Sequence, residues 1–142
     1  MGPRLSDKQG GCLHAEQLRI AVEDPSPSLE ELTTQLIDFR DARDWKQFHS
    51  LKNLILSLSL ESAELLELTQ WKSDEEIEQA IGDAAFRERL AEECADVLLY
   101  LLLISERAGI DLARAGADKI ARNKAKYPVE RARGNARKYT DL

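Results

Sequence analysis

The sequence predicts an all-α fold, a compact helical bundle of four to five helices. Apolar residues recur every three or four positions in several segments, which is the spacing of one face of a helix. No segment alternates apolar and polar residues over the length of a strand, and no repeat or low-complexity tract appears. At 142 residues the chain is long enough for one domain with a hydrophobic core and too short for two ordinary ones.

Capping residues and helix breakers place the predicted helices along the chain. We expect them to run from Ser28 to before Arg43, from about Ser50 to about Gln70, in a short turn from Asp74 to Gly82, from about Ala85 to Ala108, and from Asp111 to about Ala125. Gly109 should end the long helix, and Pro128 should stop the last one. The predicted organisation is a flexible N-terminal arm (1–28), a helical domain (29–127) and a basic C-terminal tail (128–142).

Composition narrows the class of protein. The net charge of -6 argues against general binding to nucleic acids or anionic membranes, and it suits a metal cation. The longest apolar run, Val97–Ile104, is far shorter than the roughly 20 residues that span a bilayer. The N-terminus lacks the apolar core of a signal peptide, and Cys12 and Cys94 have no partner at metal-ligand or disulfide-framework spacing. We therefore expect a soluble cytoplasmic protein that binds no nucleic acid and no membrane.

Two pairs of acidic residues stand three positions apart in leucine-rich helices: Glu61 with Glu64, and Glu93 with Asp96. Residues three apart share a helix face, so each pair presents two carboxylates to the same side. If the two helices pack antiparallel, the four carboxylates converge and repel one another unless a divalent cation neutralises them. A single pair of this kind is commonly a solvated face, but Asp96 directly precedes the apolar run and is expected to be buried.

The chemistry of these ligands limits which ion they can hold. Ligation by oxygen alone favours Mg²⁺, with Mn²⁺ as a substitute, and Mg²⁺ keeps positions for water and substrate phosphates. A di-iron bundle would need Glu-x-x-His pairs on its helices. The two histidines, His14 and His49, lie in neither acidic segment, so a site made of oxygen ligands is the prediction.

The acidic pairs, with 28 residues between Glu64 and Glu93, resemble the signature of the MazG-like all-α nucleoside triphosphate pyrophosphohydrolases. The string RDWKQFHSLKNLILSLSLESAELLELTQW, the segment KIARNKAKYP and the C-terminal ARKYTDL are similar to the dCTP pyrophosphatase branch of that family. The resemblance covers roughly Leu29 to Leu142. It implies Mg²⁺-dependent hydrolysis of dCTP, or of modified pyrimidine deoxynucleotides, to the monophosphate and pyrophosphate. It also implies a house-cleaning role and a homotetramer built as a dimer of dimers.

The resemblance implies roles for the matching acids. Glu61, Glu64, Glu93 and Asp96 would be the metal ligands and the catalytic residues. One of the glutamates would orient or deprotonate the attacking water, and which one stays open. The number of metal ions stays open as well.

Six further residues are candidates for substrate binding: Trp45, His49, Trp71, Tyr100, Lys119 and Asn123. The two tryptophans flank the second helix and could grip a base by stacking, or plug the end of the bundle. His49 could donate to a base or a phosphate or be structural, and Tyr100 could bond a sugar or phosphate oxygen or belong to the core. The resemblance favours phosphate contacts for Lys119 and Asn123, whereas Arg131–Lys138 is expected to be a solvated tail. It also makes Leu36 and Phe39, on the first helix, candidates for the base pocket.

The predicted helix from Ala85 to Ala108 offers more apolar surface than one bundle of this size can cover, so part of it should lie at a subunit interface. Two other functions compete with the enzyme. One is a non-catalytic helical module that senses a nucleotide or binds a partner, and the other is a structural bundle whose acids line a solvated groove. The complete set of four acids favours the enzyme, because a sensor could lose one ligand.

Overall fold

The computed structural model describes residues 25–141, and within that range every regular element is helical, as predicted. The α-helices are α1 (Leu29–Asp41), α2 (Leu51–Glu67), α3 (Asp74–Ala80), α4 (Ala84–Ala108), α5 (Leu112–Lys126) and α6 (Val129–Ala132). Short 3-10 helices span Trp45–Phe48, between α1 and α2, and Tyr139–Asp141. The predicted N-terminal arm lies outside the described residues except for positions 25–28. Among the described helices, none has both the length and the apolar character needed to cross a bilayer.

Side-chain caps set the starts of the helices. The hydroxyl of Ser28 accepts a hydrogen bond from the backbone N–H of Glu31, and the Glu31 carboxylate accepts one from the N–H of Ser28, which completes a capping box at the predicted start of α1. A capping box also starts α3, but its N-cap is Ser73, whereas the sequence predicted Asp74. Ser73 is the cap because Glu76 stands three residues after it and closes the box.

The central element of the fold is α4, which packs along α2 and against α1. The buried apolar side chains of the described chain are Leu54 of α2, Leu68 at the C-cap of α2, and Leu102 and Leu103 of α4, each at most 5% exposed. Burying a leucine of this kind contributes roughly 1.5–3 kcal/mol. The α2–α4 pair is therefore the rigid support on which the acidic residues are carried.

The single chain is more open than the compact bundle that the sequence predicts. α4 ends at Gly109, whose backbone is left-handed (φ 65°), and α5 follows without a buried side chain. The segment after α5 returns to the end of that helix, where Tyr139 packs edge-to-face on Tyr127 with the ring centroids 6.0 Å apart. Ile120 of α5 is exposed. The described part of one chain thus leaves this helix largely uncovered.

Large apolar side chains are exposed along one side of α2, and we call this surface the α2 face: Leu51, Ile55, Leu56, Leu60 and Leu66. Among the described residues of α4, by contrast, no large apolar side chain is exposed, because α1 and α2 cover that helix. The surplus apolar surface therefore lies on α2, whereas the sequence assigned it to α4. The hydroxyls of Ser59 and Ser62 donate to backbone carbonyls one turn earlier, so these two side chains can be covered without an unsatisfied donor.

Candidate functional site

Three carboxylates meet where α2 packs on α4. One oxygen of each of Glu61, Glu64 and Glu93 lies within 4.8 Å of the other two. Glu61 and Glu64 share a face of α2 because they are three residues apart, and α4 supplies Glu93. We call these three residues the acidic cluster. The convergence that the spacing predicts is therefore observed for three of the four acids.

The fourth acid, Asp96, lies beside the acidic cluster. Burial raises the pKa of the Glu61 carboxyl, and the charges of Glu64, Asp96 and Glu93 raise it further. Asp96 is thus near enough to act on Glu61 electrostatically. Its side chain is exposed, however, and not buried as predicted, because it faces a cavity and not the core. Asp96 therefore joins the acidic cluster to that cavity.

The donor set of the acidic cluster fits a hard divalent cation. Its ligand atoms are carboxylate oxygens alone, which such ions prefer. Three converging carboxylates repel one another when all are ionised, and the raised pKa of Glu61 reports part of that repulsion. A bound cation would remove the repulsion and leave coordination positions for water or phosphate oxygens.

The cavity that Asp96 faces has a volume of 210 Å³ and lies between α1, the first 3-10 helix and α4. We call it the aromatic pocket, and its walls include Leu36, Phe39, Trp45, His49, Asp96 and Tyr100. Phe39, Trp45 and Asp96 are exposed and form its rim, whereas Arg40 and Leu103 are buried and form its inner end. The pocket therefore has an aromatic mouth on the side of Asp96. The structure brings Trp45, His49 and Tyr100 together, and it places Leu36 and Phe39 in the wall as the sequence predicted.

Trp45 is held at the mouth of the aromatic pocket by its neighbours. Phe39 meets it edge-to-face, with ring centroids 5.8 Å apart and planes at 78°. The guanidinium of Arg43 covers Phe39 at 3.7 Å from the ring centroid. Asp44 has a left-handed backbone (φ 53°), and Gln47 donates to both its carbonyl and its carboxylate at 2.9 Å. These contacts fix the indole while leaving it partly exposed and able to stack.

The inner end of the aromatic pocket contains a buried charge that the sequence reasoning missed. Arg40 is 4% exposed, and it donates from Nε to Asp41 at 2.7 Å and from a terminal nitrogen to Glu106 at 3.1 Å. Beside it, Nδ1 of His49 is shielded from water and has no hydrogen-bond partner among the described residues. Burial and then the charge of Arg40 lower the pKa of His49, so its ring is neutral at pH 7. The available signal was the position of Arg40, four residues after Leu36 on the apolar stripe of α1.

Trp71 lies at the opposite end of α2 from Trp45. The 17 residues of α2, about 25 Å of helix, lie between them in the chain, and Trp71 does not line the aromatic pocket. α2 ends at Glu67, earlier than the predicted Gln70, in turns that lead to a left-handed backbone at Trp71 (φ 65°). A bulky residue rarely adopts this conformation, and Trp71 is 92% exposed. No contact among residues 25–141 accounts for this costly arrangement.

The two α5 candidates, Lys119 and Asn123, lie outside the lining of the aromatic pocket. Lys119 is exposed and Asn123 is partly buried. Neither residue lines the aromatic pocket, whose walls come from α1, α4 and the segment between α1 and α2. The expected phosphate contacts of Lys119 and Asn123 therefore remain predictions. The basic side chains of Arg131, Arg133, Arg137 and Lys138 are exposed, as expected for a solvated tail.

Comparisons with known proteins support this geometry. The sequence model of the MazG-like family matches residues 56–142, a range that contains the acidic cluster and Asp96. dCTP pyrophosphatase 1 of Rattus norvegicus is 45% identical over 118 residues, which are 83% of this chain and 69% of that protein. The Homo sapiens protein of the same name is 42% identical over 118 residues. The crystal structure of a pyrophosphatase from Archaeoglobus fulgidus superimposes with a TM-score of 0.66 at 39% identity, covering 75% of this chain and 98% of that one.

Proposed function

This chain belongs to the MazG-like family, and we propose that it is a nucleoside triphosphate pyrophosphohydrolase that converts dCTP to dCMP and pyrophosphate. The observation that carries the proposal is the acidic cluster of Glu61, Glu64 and Glu93 next to a pocket with an aromatic mouth. The names of the relatives support cytosine as the base. Modified pyrimidine deoxynucleoside triphosphates are further candidate substrates, and their removal from the nucleotide pool is the role we propose.

We propose Mg²⁺ as the cofactor, with Mn²⁺ as a substitute, held by the acidic cluster together with Asp96. Carboxylate oxygens are the ligands that these ions prefer. The ion would supply charge neutralisation for the triphosphate, which is the main requirement of phosphoryl transfer. One of the glutamates would orient or deprotonate the attacking water. Glu61, whose pKa is raised by burial and by the neighbouring carboxylates, is a candidate for this role.

The proposed substrate lies along the line from the aromatic pocket to the acidic cluster. The base would stack on Trp45 in the pocket, the sugar would pass Asp96 and Tyr100, and the phosphates would lie over the acidic cluster. Lys119 and Asn123 would contact the far phosphates from α5. This arrangement holds the β- and γ-phosphates together, so that pyrophosphate leaves as a unit.

Product analysis tests the reaction. With dCTP and Mg²⁺ we expect equal amounts of dCMP and pyrophosphate, measured by anion-exchange chromatography. The same assay with dTTP, dUTP and dATP gives the base preference. Release of single phosphate with dCDP would contradict the proposed bond cleavage. Tight binding of dCTP without any product would instead favour a nucleotide-sensing module.

Trp45→Ala is expected to raise KM for dCTP more than it lowers kcat. Stacking on the indole holds the substrate and the transition state alike, and it is worth roughly 1–3 kcal/mol, or about 5- to 150-fold in kcat/KM. Steady-state kinetics with dCTP measure the effect. Lys46→Ala, at the next position of the same 3-10 helix, serves as the control and should leave KM unchanged. A Trp45→Ala enzyme with wild-type KM would show that Trp45 does not contribute to binding of the base.

We further propose that the active unit is a homo-oligomer, a dimer of dimers. The α2 face leaves apolar side chains exposed that a second copy could cover, and Leu60 alone is 65% exposed. The position of Trp71 supports the same idea, because its ring is exposed and does not line the aromatic pocket of its own chain, so a second copy could use it at a base site.

A further inference from the structure

The inner end of the aromatic pocket has a hydrogen-bonding group that the protein itself leaves unused. His49 lines the aromatic pocket, and its Nδ1 is shielded from water without a partner among the described residues. A buried polar atom in this state costs free energy unless a ligand completes it. His49 is therefore placed to bond a molecule that enters the pocket.

The surroundings of His49 decide whether Nδ1 accepts or donates. A neutral imidazole carries one N–H and one lone pair. Arg40, the charged neighbour at the inner end, has only N–H groups and is held there by Asp41 and Glu106. The positive charge of Arg40 disfavours a second proton on the ring, so one nitrogen keeps its lone pair, and we assign that lone pair to the shielded Nδ1. A ligand must therefore supply a donor.

The order of residues from the mouth to the inner end indicates which part of the ligand reaches His49. The rim carries Trp45 and Asp96, and Asp96 leads to the acidic cluster. A nucleotide with its phosphates at the acidic cluster would thus insert its base, with the edge away from the sugar pointing inwards. On cytosine that edge carries an exocyclic amino group, which donates, whereas on uracil and thymine the same position carries a carbonyl oxygen, which only accepts.

We propose that His49 is the residue that selects aminopyrimidine over oxopyrimidine triphosphates, by accepting a hydrogen bond from the exocyclic amino group at Nδ1. The inference deepens the proposed dCTP hydrolysis and rests on it. Arg40 is a positioning residue in this arrangement, because it acts through the imidazole and its salt bridges fix it in the wall of the same pocket. With dUTP, a carbonyl oxygen would face the Nδ1 lone pair, and neither group could be satisfied.

The test compares kcat/KM for dCTP, dUTP and the dCTP analogue that lacks the exocyclic amino group. His49→Phe keeps an aromatic ring of similar shape and removes the acceptor, so the dCTP-to-dUTP ratio should fall by about 5- to 150-fold. His49→Asn, whose amide oxygen can accept, should retain part of the ratio. Lys46→Ala is the control and should keep the wild-type ratio.

The analogue makes the test independent of how well the variants fold. Wild-type protein should prefer dCTP to the analogue by about the same factor as that lost in His49→Phe, and the variant should treat the two substrates alike. A His49→Phe protein that loses activity equally with all three substrates would overturn the proposal and leave a structural role. Equal use of dCTP and the analogue by wild-type protein would overturn it as well. Failure of the proposed hydrolysis looks different, since wild-type protein would then release pyrophosphate from none of the three.

Discussion

Glu61→Gln and Glu93→Gln are each expected to lower kcat for dCTP by at least about 100-fold at saturating Mg²⁺. In other enzymes, loss of a single group that stabilises developing charge lowers kcat by about 100- to 1000-fold. Each change here removes one carboxylate from three whose oxygens lie within 4.8 Å of one another. Glutamine keeps the size of the side chain, so the helices should remain packed. Pyrophosphate release measures activity, and Mg²⁺ titration followed by calorimetry measures the loss of metal binding.

A matched control is available on the same helix. Glu92 is exposed, stands next to Glu93 and lies outside the acidic cluster, so Glu92→Gln should retain wild-type turnover and Mg²⁺ binding. Full Mg²⁺-dependent activity in a protein that carries both Glu61→Gln and Glu93→Gln would show that the acidic cluster does not take part in catalysis.

Glu61→Gln, which is expected to lower turnover, should stabilise the metal-free protein. The raised pKa of Glu61 means that its ionised form is disfavoured in the folded state. Its favourable contribution is therefore present below the ordinary value of 4.5 and is lost as pH rises through the folded pKa. With chelator present, Glu61→Gln should raise Tm at pH 7.5 and should not raise it near pH 4. A Tm that falls equally at both values would show that no repulsion is relieved.

The sequence was sufficient to predict the features that depend on nearby residues, namely the helix positions and the side chains that share a helix face. The period of the leucines and the capping residues predicted α1, α2, α4 and α5 to within a few residues. The three-residue spacing predicted that Glu61 and Glu64 share a face. Packing of α2 on α4, which brings in Glu93, required only that consecutive long helices be antiparallel.

What the sequence could not supply depends on distant parts of the chain. The role of Arg40 follows from Glu106, 66 positions away, and the shielded nitrogen of His49 follows from the packing of three segments. The exposure of Asp96 depends on a cavity that no local pattern reveals. Trp71 and the α2 face are a different case, because they are exposed in the part of the chain that the structure describes and their proposed roles lie in an oligomer.

Charge placed on the α2 face is expected to dissociate the oligomer and abolish most turnover. A protein with both Leu56→Glu and Leu60→Glu would bring two unpaired carboxylates into the proposed interface, each at a cost of several kcal/mol if buried. Light scattering should report a monomer at micromolar concentration, while circular dichroism remains that of a helical protein. Gln79→Glu, which adds a charge at an exposed position of α3, is the control and should change neither. A wild-type protein that is itself monomeric and active would exclude the interface.

Hybrid oligomers test whether the subunits share a site or only stabilise one another. If Trp71 of one subunit completes the base site of its neighbour, Glu64→Gln and Trp71→Ala affect different halves of the same site. Co-expression of the two variants with different tags would create sites that combine the intact acids of one subunit with the intact Trp71 of the other. At dCTP concentrations well below KM, purified hybrids should then exceed the mean activity of the two parent oligomers. The excess can reach roughly 5- to 150-fold, which is what stacking on one tryptophan contributes to kcat/KM, and it is smaller when only some of the sites are restored. Hybrids with only the mean activity would show that Trp71 does not act across the interface.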